Sequence, residues 1–140
     1  MHKRCAARVA LYFILSFSMA GCAMSDLPMK APKTSDSIEI PAGTSVESVF
    51  ACAETTVRDL AAADDRWDAR VTRRDVATGI LETSNYPEEN ESGFRIRLDF
   101  AQGDDRAQLQ LKGAGAYFVD MGVEDAMRTL KAKLSTCISG

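Results

Sequence analysis

The most regular stretch of the chain is residues 94–100, where Phe94, Ile96, Leu98 and Phe100 alternate with Arg95, Arg97 and Asp99. A period of two predicts a half-buried strand. Gly103, Asp104 and Asp105 supply turn chemistry, and Ala107, Leu109 and Leu111 then alternate with Gln108, Gln110 and Lys112, so the two runs predict a hairpin. Gly113 and Gly115 are expected to break the second strand. A weaker hairpin precedes the first. Trp67, Ala69 and Val71 alternate with Asp68, Arg70 and Thr72, residues 75–79 turn the chain, and residues 80–84 return. Residues 86–92 read as the polar loop between the hairpins.

The period changes on either side of these strands. Val46, Val49, Phe50, Ala53, Val57, Leu60 and Ala61 recur at helical spacing, which predicts a helix over residues 46–63, with Thr44 or Ser45 as its N-cap. A second stripe, Val123, Ala126, Met127, Leu130, Leu134, Cys137 and Ile138, predicts a closing helix. Its first turn holds Glu124 and Asp125, and Lys131 and Lys133 follow, in keeping with the helix dipole. Ile38 and Ile40 flank Glu39 just before Pro41, a short leading strand suited to a sheet edge. The expected fold class is α+β: an antiparallel sheet of four to five strands with two helices (α-β-β-β-β-α) packed on one face.

The first residues follow neither period. His2, Lys3, Arg4 and Arg8 precede an apolar run over residues 9–20, shorter than the about 20 residues needed to span a bilayer. A basic segment, an apolar segment and small residues at the end are the parts of a secretory signal. The end reads Met19-Ala20-Gly21-Cys22, which resembles the lipobox of bacterial lipoproteins, with Met19 in place of the usual leucine. The resemblance implies cleavage before Cys22, diacylglycerol on the Cys22 thiol, and acylation of the new amino terminus, enough chains for stable membrane attachment. An ordinary secretory signal leaving Cys22 free is the plainer alternative. Ala23 follows the cysteine where an inner-membrane retention signal would have aspartate, so the implied address is the outer membrane, facing the periplasm. Residues 1–21 are thus expected to be removed, residues 22–37, with Pro28, Pro32, Lys30 and Lys33, to form a tether, and residues 38–140 to form one domain.

Removal of the leader changes the charge and the available chemistry. Of 17 basic and 20 acidic residues, Lys3, Arg4 and Arg8 leave with it, so 14 basic residues face 20 acidic ones. An acidic domain is a poor general binder of nucleic acid, whose affinity comes from neutralising phosphates. The single histidine, His2, also leaves, and with it the Ser-His-Asp and Cys-His arrangements and the usual zinc ligand sets. There is no nucleophile motif, phosphate loop or dinucleotide fingerprint, so neither catalysis nor a cofactor is expected. Glu88, Glu89 and Glu91 lack the spacing of a calcium loop and read as solvated. Asp64-Asp65 and Asp104-Asp105 fall in turns, and no metal site is expected.

With Cys5 lost and Cys22 acylated, Cys52 and Cys137 remain. In an oxidising compartment they are expected to be joined, the alternative being two separate buried thiols. Cys137 lies on its helix's apolar stripe, whereas Cys52 falls about 100° from the centre of its own, as a helix-to-helix bridge requires. The outward sheet face is expected to carry Arg70, Arg74, Arg95 and Arg97, with Arg106, Lys112, Asp68 and Asp99. It is a candidate contact face for phosphate or carboxylate groups of an envelope protein or the cell wall. The plainer and preferred reading is a solvated face with cross-strand ion pairs. Trp67 reads as a core residue rather than the wall of a ligand pocket.

The lipobox at Cys22, the helix containing Val46-Glu47-Ser48-Val49-Phe50, the run from Trp67 to Val71, Thr78-Gly79-Ile80-Leu81-Glu82, the strand over 94–100, Gly103-Asp104-Asp105-Arg106 and the closing helix together resemble a group of small bacterial lipoproteins of the DUF3568 type. More distantly they resemble the helix-grip domains of BamC, a lipoprotein of the outer-membrane barrel assembly machine. The resemblance covers nearly all of the chain after the leader and implies no catalytic residue. The expected role is a non-enzymatic binding or scaffolding module, held in the cell envelope by lipid. The rival is a carrier of a small apolar or lipid ligand in a cavity between sheet and helices near Trp67, Phe94 and Phe100.

Overall fold

The alternating strands leave one apolar sheet face to be covered, and the two amphipathic helices cover it. The computed structural model describes residues 29–140; the leader, Cys5 and Cys22 lie outside the described residues. In chain order the elements are β1 (Lys33–Glu39), α1 (Val46–Ala63), β2 (Val71–Asp75), β3 (Ile80–Thr83), β4 (Gly93–Asp99), β5 (Arg106–Ala114) and α2 (Val123–Ser139). The strands form one antiparallel sheet in the order β1-β5-β4-β3-β2. Strands β2 to β5 are a meander, and β1 closes its far edge beside β5. Since β1 and β2 are the two edges, α1 must cross the sheet from one to the other, and α2 lies next to it over β1 and β5.

Local chemistry sets the helix limits. The Ser45 hydroxyl accepts the Ser48 N–H at 3.1 Å and caps α1. At the other end Asp64 turns extended, and its N–H still bonds Leu60 O at 2.9 Å. The start of α2 is capped from outside the helix: the Asp120 carboxylate accepts the N–H groups of Gly122 at 2.8 Å and Val123 at 3.1 Å. Lys131 answers a partner on the sheet rather than the helix C-terminus, donating to Asp36 of β1 at 2.9 Å, and no basic residue lies in the last turn of α2.

The core lies between the helices and one sheet face. Val49 and Phe50 of α1, Leu130 and Leu134 of α2, and Leu81, Ile96, Leu98, Leu109 and Leu111 of the sheet are fully buried. Each such side chain contributes about 1.5–3 kcal/mol relative to exposure. Cys52 and Cys137 are joined by a disulfide that staples α1 to α2, with their Cα atoms 5.7 Å apart. The expected α+β class, both helices on one face and the bridge between them are therefore present.

Three expectations change in detail. Residues 33–37, assigned to the tether, form most of β1, because their polar side chains suit an exposed edge while their backbone pairs with residues 108–112 of β5. The strand expected from Trp67 begins only at Val71. Asp68 accepts the Arg70 N–H at 2.9 Å and bends the chain there, while Trp67 is held by a bridge to Phe94 with ring centroids 5.0 Å apart. Gly113 sits inside β5 instead of ending it. A Cβ there would stand 2.5 Å from the Phe94 ring and 2.8 Å from Val123, so the glycine lets α2 and β4 close over the strand.

Candidate functional site

The four arginines expected on one face are distributed by the register. Arg74 pairs with Leu81, which places it on the helix side, where it donates to Glu54 at 2.8 Å and lies 5.6 Å over the Phe50 ring. A bulge between Val71 and Arg73 causes this: the extra residue inverts the alternation and gives Arg73 the outer face opposite Glu82. Arg70 precedes β2 and reaches Asp68 at 3.3 Å, largely in solvent. Only Arg95 and Arg97 share the outer face, and Arg106 and Lys112 join them there from β5.

Arg97 is a cross-strand clamp. Its guanidinium donates to both oxygens of Asp99 at 2.8 Å and to Glu82 of β3 at 2.8 Å. Hydrogen bonding to Asp99, then the two nearby carboxylate charges, holds its pKa above that of an ordinary guanidinium. Arg95, two residues earlier, is fully buried at 0% exposure, and among the described residues Nε, Nη1 and Nη2 have no hydrogen-bond partner. Desolvation pulls its pKa below that of an ordinary guanidinium, and the charges of Glu91 and Glu89 act the other way. The expected open arginine face is thus half ion-paired lattice and half covered.

The cover is the loop over residues 84–92, which sequence periodicity reads as plain solvated loop. Ser84 and Asn85 open it with left-handed φ of 45° and 41°, folding it back across β5. Tyr86 is buried, its hydroxyl donates to Gln110 at 3.1 Å, and burial pushes its pKa up to about 12. Lys112 Nζ donates to Tyr86 O at 3.0 Å and to Glu89 Oε1 at 2.6 Å, and lies 4.9 Å from the Tyr86 ring. The other oxygen of Glu89 accepts the Ala31 N–H at 2.8 Å. One carboxylate therefore ties the incoming chain, β5 and the loop together. Hydrogen bonds from Lys112 and Ala31 hold its pKa below the usual 4.5. Glu91 accepts from Asn85 at 3.3 Å, and among the described residues no group of acids and cysteines is arranged to hold a metal ion.

Trp67 lies in the core at 7% exposure, and its edge forms part of a surface groove of about 390 Å³ between the end of α1 and the start of α2, lined also by Leu60, Phe94, Met121 and Ala126. Arg66 closes one side, 5.2 Å over the Phe94 ring. Phe100 lies at the other end of β4, beside Gly79, so the three aromatics named for a carrier cavity are not brought together.

A feature absent from the sequence reading is the projection between β5 and α2. Gly115 N–H bonds Val119 O at 2.8 Å and closes a tight loop whose tip is Tyr117, 90% exposed. Tyr117 and Phe118 both have left-handed backbones, with φ of 55° and 60°, a conformation rare for bulky residues. Val119, 62% exposed, follows them. The available signal was the apolar run Ala116-Tyr117-Phe118-Val119 where a loop between glycines should be polar.

No family model matches the chain, and neither does any curated protein or solved structure.

Proposed function

We propose that the protein is a lipid-anchored cell-envelope lipoprotein, attached through Cys22 to the periplasmic face of the outer membrane, whose domain binds or scaffolds an envelope partner without catalysing a reaction. The observation that carries this reading is the Cys52–Cys137 disulfide. A stapled pair of helices belongs to an oxidising compartment, which agrees with a leader ending in Met19-Ala20-Gly21-Cys22. The remaining support is the absence of any histidine after His2 and an outer sheet face on which Arg97 is tied to Asp99 and Glu82 and Arg95 is buried. The resemblance to the DUF3568 and BamC lipoproteins belongs to the same reading.

Intact mass of the protein purified from bacterial membranes tests it. Loss of residues 1–21 with a diacylglyceryl adduct on Cys22 is the expected result. An unmodified Cys22 removes the membrane from the account.

The groove beside Trp67 favours one second reading, a carrier of a small apolar or lipid ligand. Titration with fatty acids and phospholipids then shifts Trp67 emission at a saturating stoichiometry, and an unchanged spectrum across the panel rejects the carrier.

A further inference from the structure

We infer that the projection at residues 115–119 is a second membrane contact, in which Tyr117 and Val119 enter the headgroup layer of the bilayer that holds the lipid anchor. The inference rests on the lipoprotein reading above. Among the described residues the exposed large hydrophobics are Met29, Val71, Tyr117 and Val119, and three of these four stand at one end of the domain. The register explains why. Lys33 pairs with Lys112, and Gly113 N–H bonds Pro32 O at 3.0 Å, which brings residues 29–32 to the end of the sheet from which the projection rises. Ala31 is buried there and tied to Glu89, so the point where the chain enters the fold is fixed beside the projection.

Chain length then limits the distance to the membrane. Met29 is seven residues after Cys22, and seven residues cannot span more than about 25 Å however they run. The end bearing Tyr117 is therefore the end held towards the bilayer. A tyrosine carries an apolar ring and a polar tip, the combination enriched at membrane interfaces. The projection is also held in place: the Gly115–Val119 bond and the bridge from Ala114 to Asp120 close it, and Asp120 caps α2 directly behind. Two successive left-handed aromatic residues are strained, and strain kept at an exposed apolar tip points to a role for that tip. Glu91, which lines a hollow with Gly115, Tyr117 and Phe118, favours a zwitterionic, ammonium-bearing headgroup layer over a strongly anionic one.

The test uses the full-length lipidated protein in vesicles of phosphatidylethanolamine and phosphatidylcholine, with and without bromine on the upper acyl chain. Tyr117→Trp adds a second emitter to the buried Trp67, and Asp104→Trp places one on the turn at the opposite end of the sheet. The expected result is a blue-shifted added emission for Tyr117→Trp that brominated lipid quenches, with the added emission of Asp104→Trp unquenched. Intact mass of the same samples reports the anchor. Acylated Cys22 with unquenched Tyr117→Trp overturns the contact and leaves the lipoprotein reading standing; an unacylated mass removes both. A blue shift that persists in detergent and grows with protein concentration assigns the tip to a second copy of the chain and also overturns the contact.

Discussion

Replacing Arg95 by methionine should stabilise the domain. A fully buried guanidinium with three nitrogens unpartnered among the described residues has lost its hydration without gaining hydrogen bonds, a loss of several kcal/mol that Glu89 and Glu91 offset only through space. Methionine fills a similar volume, is unbranched, and carries no charge to desolvate. The expected gain is about 1–3 kcal/mol, the range found when buried ionic groups give way to apolar ones. With a urea m-value of about 1–1.5 kcal/mol/M for a domain of this size, the midpoint rises by about 0.7–3 M. Emission of Trp67, whose ring lies 5.0 Å from that of Phe94, reports the transition. Arg97→Met supplies the contrast, since it strips Glu82 and Asp99 of their donor and should destabilise by about 1–3 kcal/mol. Opposite signs two residues apart on one face follow only if Arg95 is unpaired. A loss of 1 kcal/mol or more (~1, against the range above) in Arg95→Met would show that the guanidinium has a partner in solution and refute the reasoning.

Gly113→Ala drives a methyl into the Phe94 ring and Val123 and should cost about 1–3 kcal/mol by overpacking; an unchanged urea midpoint would mean that α2 does not close on β5 there. Reduction, or Cys52→Ala with Cys137→Ala, opens a loop of 85 residues and should lower stability by about 4.5 kcal/mol in the chain-entropy model, and identical melts with and without reductant would place the two thiols apart. Glu89 has a folded pKa below its ordinary 4.5, so its contribution is complete above that value and is lost as pH falls through the lower, folded one. Protection of the Ala31 amide, its exchange rate taken relative to the intrinsic rate at the same pH, should accordingly be high at neutral pH and fall as pH drops below 4.5 through the lower folded pKa; an amide unprotected at both ends of that range would show that the carboxylate does not hold the incoming chain.

Residues 94–100 and 107–112 declared themselves because apolar side chains facing the helices alternate with polar ones, so the period of two marks the core face even where Arg95 and Lys112 are covered on the other. The helices were equally legible, since Val49, Phe50, Leu130 and Leu134 each fall on a 3.6-residue stripe that ends up at 0% exposure. The disulfide could be expected by counting cysteines and noting the off-stripe position of Cys52. β2 was displaced because it is an exposed edge, where alternation carries no information about burial: the pattern at Trp67, Ala69 and Val71 reflects one core residue and a bend rather than a strand. β1 escaped for the same reason, its polar run from Lys33 to Ser37 reading as tether although its backbone is fully paired with β5.

By itself the sequence determined the α+β class, the extent of α1, the presence and apolar stripe of α2, the second hairpin and the pair of cysteines, because those follow from periods and counts that each segment carries locally. Only the tertiary structure decided which faces Arg73 and Arg74 took, since a single bulge between Val71 and Arg73 inverts every later side chain in that strand. It also decided that residues 84–92 cover Arg95 and Lys112, that Glu89 ties the chain's entry to β5, and that Tyr117 projects beside Met29. Those arrangements depend on pairings between residues 23 to 81 positions apart, as in Lys112 with Glu89 and Ala31 with Glu89 at the nearer ranges, and Gly113 with Pro32 at the farthest. No local pattern in the chain encodes contacts of that length.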